Sequence, residues 1–185
     1  MPTESLVQCH VRYLRFAELQ FLLAYKVNTI TVGSLDLDQP IVWTYGRRCM
    51  SREELTLSLD DATLASAFLH HSATLSLAVH IVSAYKQAIG DTRNSSDSAK
   101  RSAFEIARLI RNAYSHRPAD PHWSIDPPCR DKQYEVPGIL RLDTTGLQGK
   151  RFEWRDYGGP IALYRLSEFV RTKVLARLET SVENQ

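Results

Sequence analysis

The residues with the most chemical content lie in one stretch, Arg108-Leu109-Ile110-Arg111-Asn112-Ala113-Tyr114-Ser115-His116-Arg117-Pro118. Arginine offers a planar fork of permanently charged donors that matches a phosphate. Histidine titrates near neutral pH and passes a proton in either direction. Arg111 and His116 are separated by four residues, and Asn112 sets an amide beside the guanidinium. Charge stabilisation, proton transfer and an orienting hydrogen bond suit phosphodiester chemistry run on side chains alone. Arg108 and Arg117 flank the three as candidate substrate-binding cations. The same residues also answer to a purely structural role. Arg111 can form a surface ion pair, and His116 can cap a helix C-terminus, where a cation is favoured.

Spacing alone is a weak signal, and the chain carries its own control. Arg117-Pro118-Ala119-Asp120-Pro121-His122 has the same separation but sits in a proline-broken loop, where no helix positions it. The Arg111–His116 pair differs in its helical setting. Ala103, Ile106, Ala107, Ile110 and Tyr114 recur at helical spacing over about Ala99 to Ser115, and Pro118 and Pro121 end the helix. Five residues along a helix rotate a side chain by about 140°. An unwound last turn would let His116 swing back toward Arg111.

Three more helices complete the frame. The first runs from about Ser5 to Lys26, with Val7, Val11, Leu14, Ala17 and Phe21 on its stripe; Phe16, Leu19, Leu22 and Leu23 widen it, which predicts burial over a broad arc. The second spans about Asp61 to Ile89 and stops at Gly90, with Leu64, Phe68, Leu75, Val79 and Val82 as its apolar stripe. The last starts at Pro160 and carries Leu163, Leu166, Val170, Val174 and Leu178. Between the first two helices, Val27 to Leu59 predicts an irregular connection with little strand, with a short helix starting at the capping-box pair Ser51 and Glu54. Before the last, Tyr134–Leu142 and Lys150–Tyr157 predict a hairpin joined by Asp143–Gly149. The expected fold is all-α: one domain over residues 1–185, an up-and-down helical bundle with a β-hairpin insertion (134–157) before the last helix.

The helix order and the Arg111-Asn112-x3-His116 pattern together resemble the HEPN superfamily. Its signature is an arginine, four to six residues, then histidine, with Asn, Asp or His commonly after the arginine, at the end of the third main helix. In members that cleave RNA, the resemblance implies a metal-independent reaction in a homodimer. A ribose 2′-hydroxyl attacks the adjacent phosphorus and leaves a 2′,3′-cyclic phosphate and a 5′-hydroxyl. It implies that His116 is the acid or base, that Arg111 steadies the phosphate charge and that Asn112 orients the pair. The expected function is a metal-independent endoribonuclease, a toxin or defence effector with an antitoxin-type protein partner. The alternative is a non-catalytic HEPN-like module that binds a nucleotide, a nucleic acid or a partner protein. The Val27–Leu59 connection and the hairpin depart from the minimal family pattern.

Other chemistries lack their residues. Cys9 and His10 are adjacent and the remaining cysteines scattered, so no zinc-ligand spacing appears and no metal or cofactor is expected. No phosphate-binding glycine loop or nucleophile elbow is present. His71 falls near the second helix's apolar stripe and reads as a satisfied core histidine; His70 and His80 read as solvent-facing or interfacial. Glu105 predicts helix-surface pairs with Arg101 and Arg108. Trp123, with Arg117, His122, Arg130 and Lys132 around it, answers either to single-strand contact or to packing under a loop. A net charge of +2 is too small to mark a duplex-DNA binder. Residues 63–89 form the longest apolar stretch, interrupted by His70, His71, His80 and Lys86, and short of the roughly 18 uninterrupted apolar residues of a membrane helix. With no signal-like start and three widely spaced cysteines, the expected location is cytoplasmic, away from membranes.

Overall fold

The computed structural model describes residues 4–29, 41–45, 48–52, 58–90, 92 and 95–178. It is mostly helical. Helix α1 (Leu6–Thr29) is followed by strands β1 (Ile41–Tyr45) and β2 (Arg48–Arg52), then by α2 (Leu59–Ala84), which continues as a π turn over Tyr85–Ile89. Helix α3 (Ser98–Ser115) leads through an irregular segment to β3 (Gln133–Val136) and β4 (Leu140–Asp143). Helix α4 (Pro160–Phe169) continues as a π turn over Val170–Leu175.

Helices α1 and α2 run antiparallel: the rings of Tyr13 and His80 lie 5.9 Å apart at one end, and those of Phe21 and His70 5.6 Å apart further along. Helix α3 reverses direction again, with Tyr85 5.3 Å from Phe104 and His71 5.7 Å from Tyr114. Helix α4 returns against α1 and α2. The shared core holds Leu14, Phe21, Leu77, Ile81, Ile110 and Leu166, all fully buried.

Helix α1 turns its expected stripe inward but not the broad arc, and α2 turns a different face inward from the one expected. On α1, Leu14, Ala17, Phe21 and Ala24 are buried, but Phe16 is 60% exposed, Leu23 63% and Leu19 47%. On α2, Leu64, Phe68 and Val79 are exposed, Leu75 is half-buried, and of that stripe only Val82 is buried. The buried face of α2 is Ala62, Ser66, His70, Ala73, Thr74, Leu77, Ala78 and Ile81. Small side chains let neighbouring helices approach closely, so this face packs inward although it is the less apolar of the two.

Both connections also differ. Strands β1 and β2 pair antiparallel, with Trp43 opposite Met50 and Ser51 opposite Val42. Ser51 therefore lies on a strand, where the β-branched and aromatic run Ile41–Tyr45 pairs with it; Glu54 lies outside the described residues. The second hairpin is tighter than expected. Tyr134 pairs with Leu142 and Val136 with Leu140, and the turn closes at Pro137-Gly138, where Gly138 has a φ of 73° that suits glycine. Asp143–Gly149 leads away from this hairpin, and Lys150–Tyr157 is not its second strand. It forms one bridge, Arg151 to His122, and a 3₁₀ turn at Trp154–Tyr157.

By length and composition the helix Leu59–Ile89 is long and apolar enough to cross a membrane: an 18-residue window within it has a mean hydropathy of 1.2, and 44% of that window is buried inside the protein. The histidines do not interrupt it, because Leu, Ala, Val and Ile outweigh them.

Candidate functional site

Helix α3 is amphipathic, with Ala103, Ile106, Ala107, Ile110, Ala113 and Tyr114 buried. The Asp97 side chain caps its start by accepting from the Lys100 amide at 3.0 Å. The helix runs intact to Ser115, and His116 is its C-cap, still in αR geometry. The unwinding that would let His116 swing back toward Arg111 does not occur.

The signature residues are thus brought together only in part. Arg111 and Asn112 are half-buried, and an Arg111 guanidinium nitrogen donates to Asn112 Oδ1 at 2.7 Å. His116 is exposed. Among the described residues no hydrogen bond or ion pair joins His116 to Arg111. Asn112, His116 and Arg117 line one cleft of about 300 Å³, walled on its far side by His122, Trp123 and Gln148; Arg111 does not line it.

His122 was read from the sequence as a loop residue beside Trp123, not as part of the site, and it joins the cleft. Its loop is fixed by backbone bonds: His122 N–H donates to Ala113 O at 3.2 Å, and Trp123 N–H to Lys150 O at 2.8 Å. The bridge to Arg151 thus positions what no helix could. Nδ1 of His122 lies 2.8 Å from the Asp120 carbonyl oxygen. A carbonyl only accepts, so Nδ1 carries the hydrogen, and in the neutral ring Nε2 is left as the basic atom. The Asp120 carboxylate stands 3.8 Å from Nδ1 and also pairs with Arg151 at 3.2 Å. A signal existed in the sequence: Asp120 lies two residues before His122, within reach of its ring.

Arg108 sits elsewhere. It is ion-paired to Glu105 at 2.7 Å and to Asp126, and it donates to Cys129 Sγ at 3.0 Å. The expected Glu105–Arg108 pair forms, and Arg108, neutralised by two carboxylates, faces a separate and larger cavity. Trp123 takes the packing role: it is buried, and its Nε1 donates to Asp156 Oδ2 at 2.7 Å.

A third polar cluster lies between α2 and the 3₁₀ turn. The Trp154 ring stacks on two adjacent histidines of α2, 4.7 Å from His70 and 5.2 Å from His71. His71 Nδ1 is 3.1 Å from the Tyr114 hydroxyl, so this half-buried ring is satisfied. His70, expected at the surface, is buried, and neither ring nitrogen has a partner. Burial lowers the pKa of both, helped at His70 by its neighbour His71 and at His71 by Arg151. His80 is half-buried against Tyr13, and burial and then His10 lower its pKa.

No group of three or more His, Cys, Asp or Glu is gathered as metal ligands among the described residues. The chain matches no model of a known protein family, no curated protein and no solved structure.

Proposed function

We propose that the chain is a HEPN-type endoribonuclease that cuts RNA without a metal ion, as a homodimer, in the role of a toxin or defence effector. The observation that carries this reading is the end of α3. Arg111 and Asn112 are bonded on its last turns, and His116 caps it beside a cleft that also holds Arg117 and His122. Cyclising cleavage needs one proton removed and one supplied. His122, with Nε2 free, takes the proton from the 2′-hydroxyl, whose oxygen attacks phosphorus. The bond from phosphorus to the 5′-oxygen breaks, and protonated His116 gives that oxygen its proton. Arg117 in the cleft stabilises the phosphate charge, and Arg111 joins it once the substrate draws its guanidinium away from Asn112.

The cleft of one chain is at the small end of ligand sites, which run from roughly 300 to 1,000 Å³. Dimerisation is supported by the exposed stripe Leu64, Phe68 and Val79 on α2. The antiparallel register that sets His71 beside Tyr114 runs this stripe alongside the C-terminal half of α3. A second copy docked there would join two clefts and double the available cations. Such a toxin would act in the cytoplasm, held by an antitoxin-type protein.

The test is a mixed RNA pool incubated with the protein in EDTA. Wild type is expected to leave 2′,3′-cyclic phosphate ends. His116→Ala and His122→Ala should each slow cutting by about 10²–10⁴-fold, the worth of a placed proton donor or acceptor. Arg111→Ala should slow it by about 10²–10³-fold. One observation favours the non-catalytic module instead: Arg111 is held by Asn112 and does not line the His116 cleft. Wild-type protein that leaves every RNA intact while binding a nucleotide or a partner decides for that reading.

A further inference from the structure

A cavity larger than the His116 cleft lies away from the motif. It holds about 960 Å³ and lies between the π turn that ends α2, the first half of α3 and strand β3. That volume is near the top of the range for small-molecule sites, roughly 300 to 1,000 Å³.

Its wall has three chemical parts. Lys86, Arg101 and Lys132 are exposed cations on its border, and no hydrogen bond or ion pair within the described residues occupies their side chains. The acids on the same wall are already used, since Glu105 and Asp126 both neutralise Arg108. With four cations and two carboxylates on the lining, the wall carries a net positive charge of +2. Phe104 and Tyr134 add two half-buried rings, with Tyr85 packed behind Phe104. Finally, the Tyr85 hydroxyl is buried and has no hydrogen-bond partner. A native protein rarely leaves such a group unpaired without a ligand or water to meet it. Tyr85 is also the first residue of the π turn, a departure from α-helix that is frequent at functional sites. The α3 N-terminus contributes little here, because the Asp97 side chain already caps it.

We propose that this cavity binds a ribonucleoside 5′-monophosphate, the base lying against Phe104 and Tyr134 and the phosphate among Lys86, Arg101 and Lys132. A phosphomonoester carries close to two charges at neutral pH, which suits three exposed cations on a wall whose two acids are both turned to Arg108. A planar base offers the face that half-buried aromatic rings accept. The Tyr85 hydroxyl gains its partner when the ligand is seated, either directly or through water carried in with it. The site is separate from the His116 cleft and holds whether or not the chain cuts RNA.

The test is isothermal titration calorimetry with the four ribonucleoside 5′-monophosphates, with adenosine and inorganic phosphate as the two half-ligands. At least one monophosphate should bind with a Kd below about 100 µM, and neither half-ligand should match it. Arg101→Glu and Lys132→Glu should each weaken binding by tenfold or more, the scale of one lost charge-assisted contact. Tyr85→Phe should weaken binding severalfold while leaving the melting temperature of the free protein no lower, which separates a ligand role from a structural one. His116→Ala should bind as wild type does. No binding by any of the four would overturn the proposal. So would phosphate binding as tightly as the monophosphate, or affinity lost in His116→Ala but kept in Lys132→Glu.

Discussion

Removing Arg171 is expected to cost more stability than any other single change outside the apolar core. The Glu18 side chain on α1 is fully buried. Arg171 Nε donates to both of its carboxylate oxygens, at 2.9 and 3.1 Å, and the Ser167 hydroxyl donates to one of them at 3.0 Å. Both partners come from the last helix, about 150 residues along the chain, so this contact closes the bundle. Breaking a buried ion pair from one side costs roughly 3–5 kcal/mol, because a charge is left without its partner in a poorly solvated place. Arg15 remains 3.4 Å away, but it is half exposed and offsets little. Arg171→Ala should therefore destabilise by about 3 kcal/mol, a fall in melting temperature of roughly 6–12 °C for a chain of this size. Replacing both partners, Glu18→Leu with Arg171→Leu, should recover most of that loss, since no charge is stranded. Urea unfolding followed by circular dichroism reads both. A loss under 1 kcal/mol in Arg171→Ala, or a double variant as weak as the single one, would refute the reasoning.

Three further outcomes follow from the geometry. His70 and His71 have lowered pKa values when folded, so the unfolded chain binds protons first as pH falls through about 6.5. Stability should be full above that pH and decline below it, and urea midpoints at pH 7.5 and 5 should differ less in His70→Leu than in wild type; parallel profiles would sink the assignment. Trp123→Phe keeps the ring but removes the bond to Asp156, and should cost about 1.5–3 kcal/mol in thermal unfolding, the worth of a hydrogen bond to a charged group. Phe68→Glu on the exposed α2 stripe should yield monomers in sedimentation at micromolar concentration with the helical signal unchanged; a persistent dimer places the interface elsewhere.

The helices were legible because their signals are local. Gly90, Pro118 and Pro160 act within one turn of the ends they set, and the observed bounds fall within two residues of the expected ones for α2 and α3. The inward stripes of α1, α3 and α4 were legible too, but that of α2 was not, because it depends on neighbours. Leu64, Phe68 and Val79 form a true apolar stripe, but hydropathy does not say whether a stripe meets the core or faces out. Alanines and threonines bury instead where helices come close, and Glu18 buries because Arg171 waits 153 residues away. The hairpin was found and mispaired for a related reason: Pro137-Gly138 reads as a kink unless the pairing of Val136 with Leu140 is known. At the candidate site, Arg111, Asn112 and His116 were readable as a pattern. His122 was not, since its placement depends on Lys150 and Arg151, which come nearly thirty residues later.

The segment that leaves α3 and the one that enters α4 are zipped to each other. Trp123 N–H donates to Lys150 O, Gly149 N–H to Trp123 O, and Phe152 N–H to Pro121 O, each at 2.8–2.9 Å. This forms a neck: everything between Ser124 and Gln148 is a closed excursion whose two ends are fixed at one point on the bundle. Once the neck holds, lengthening such an excursion is cheap, about 0.6 kcal/mol for each doubling of a loop. The turn at the hairpin's tip is thus free to be lengthened or redecorated between relatives, while Val136, Leu140 and Leu142 tie its strands to the core. The neck itself lacks that freedom, because Trp123, Gln148 and Gly149 are also the far wall of the His116 cleft. Variation should accordingly pile up at Pro137–Ile139 and thin out toward residues 121–123 and 149–152, a gradient that any set of related sequences would make visible.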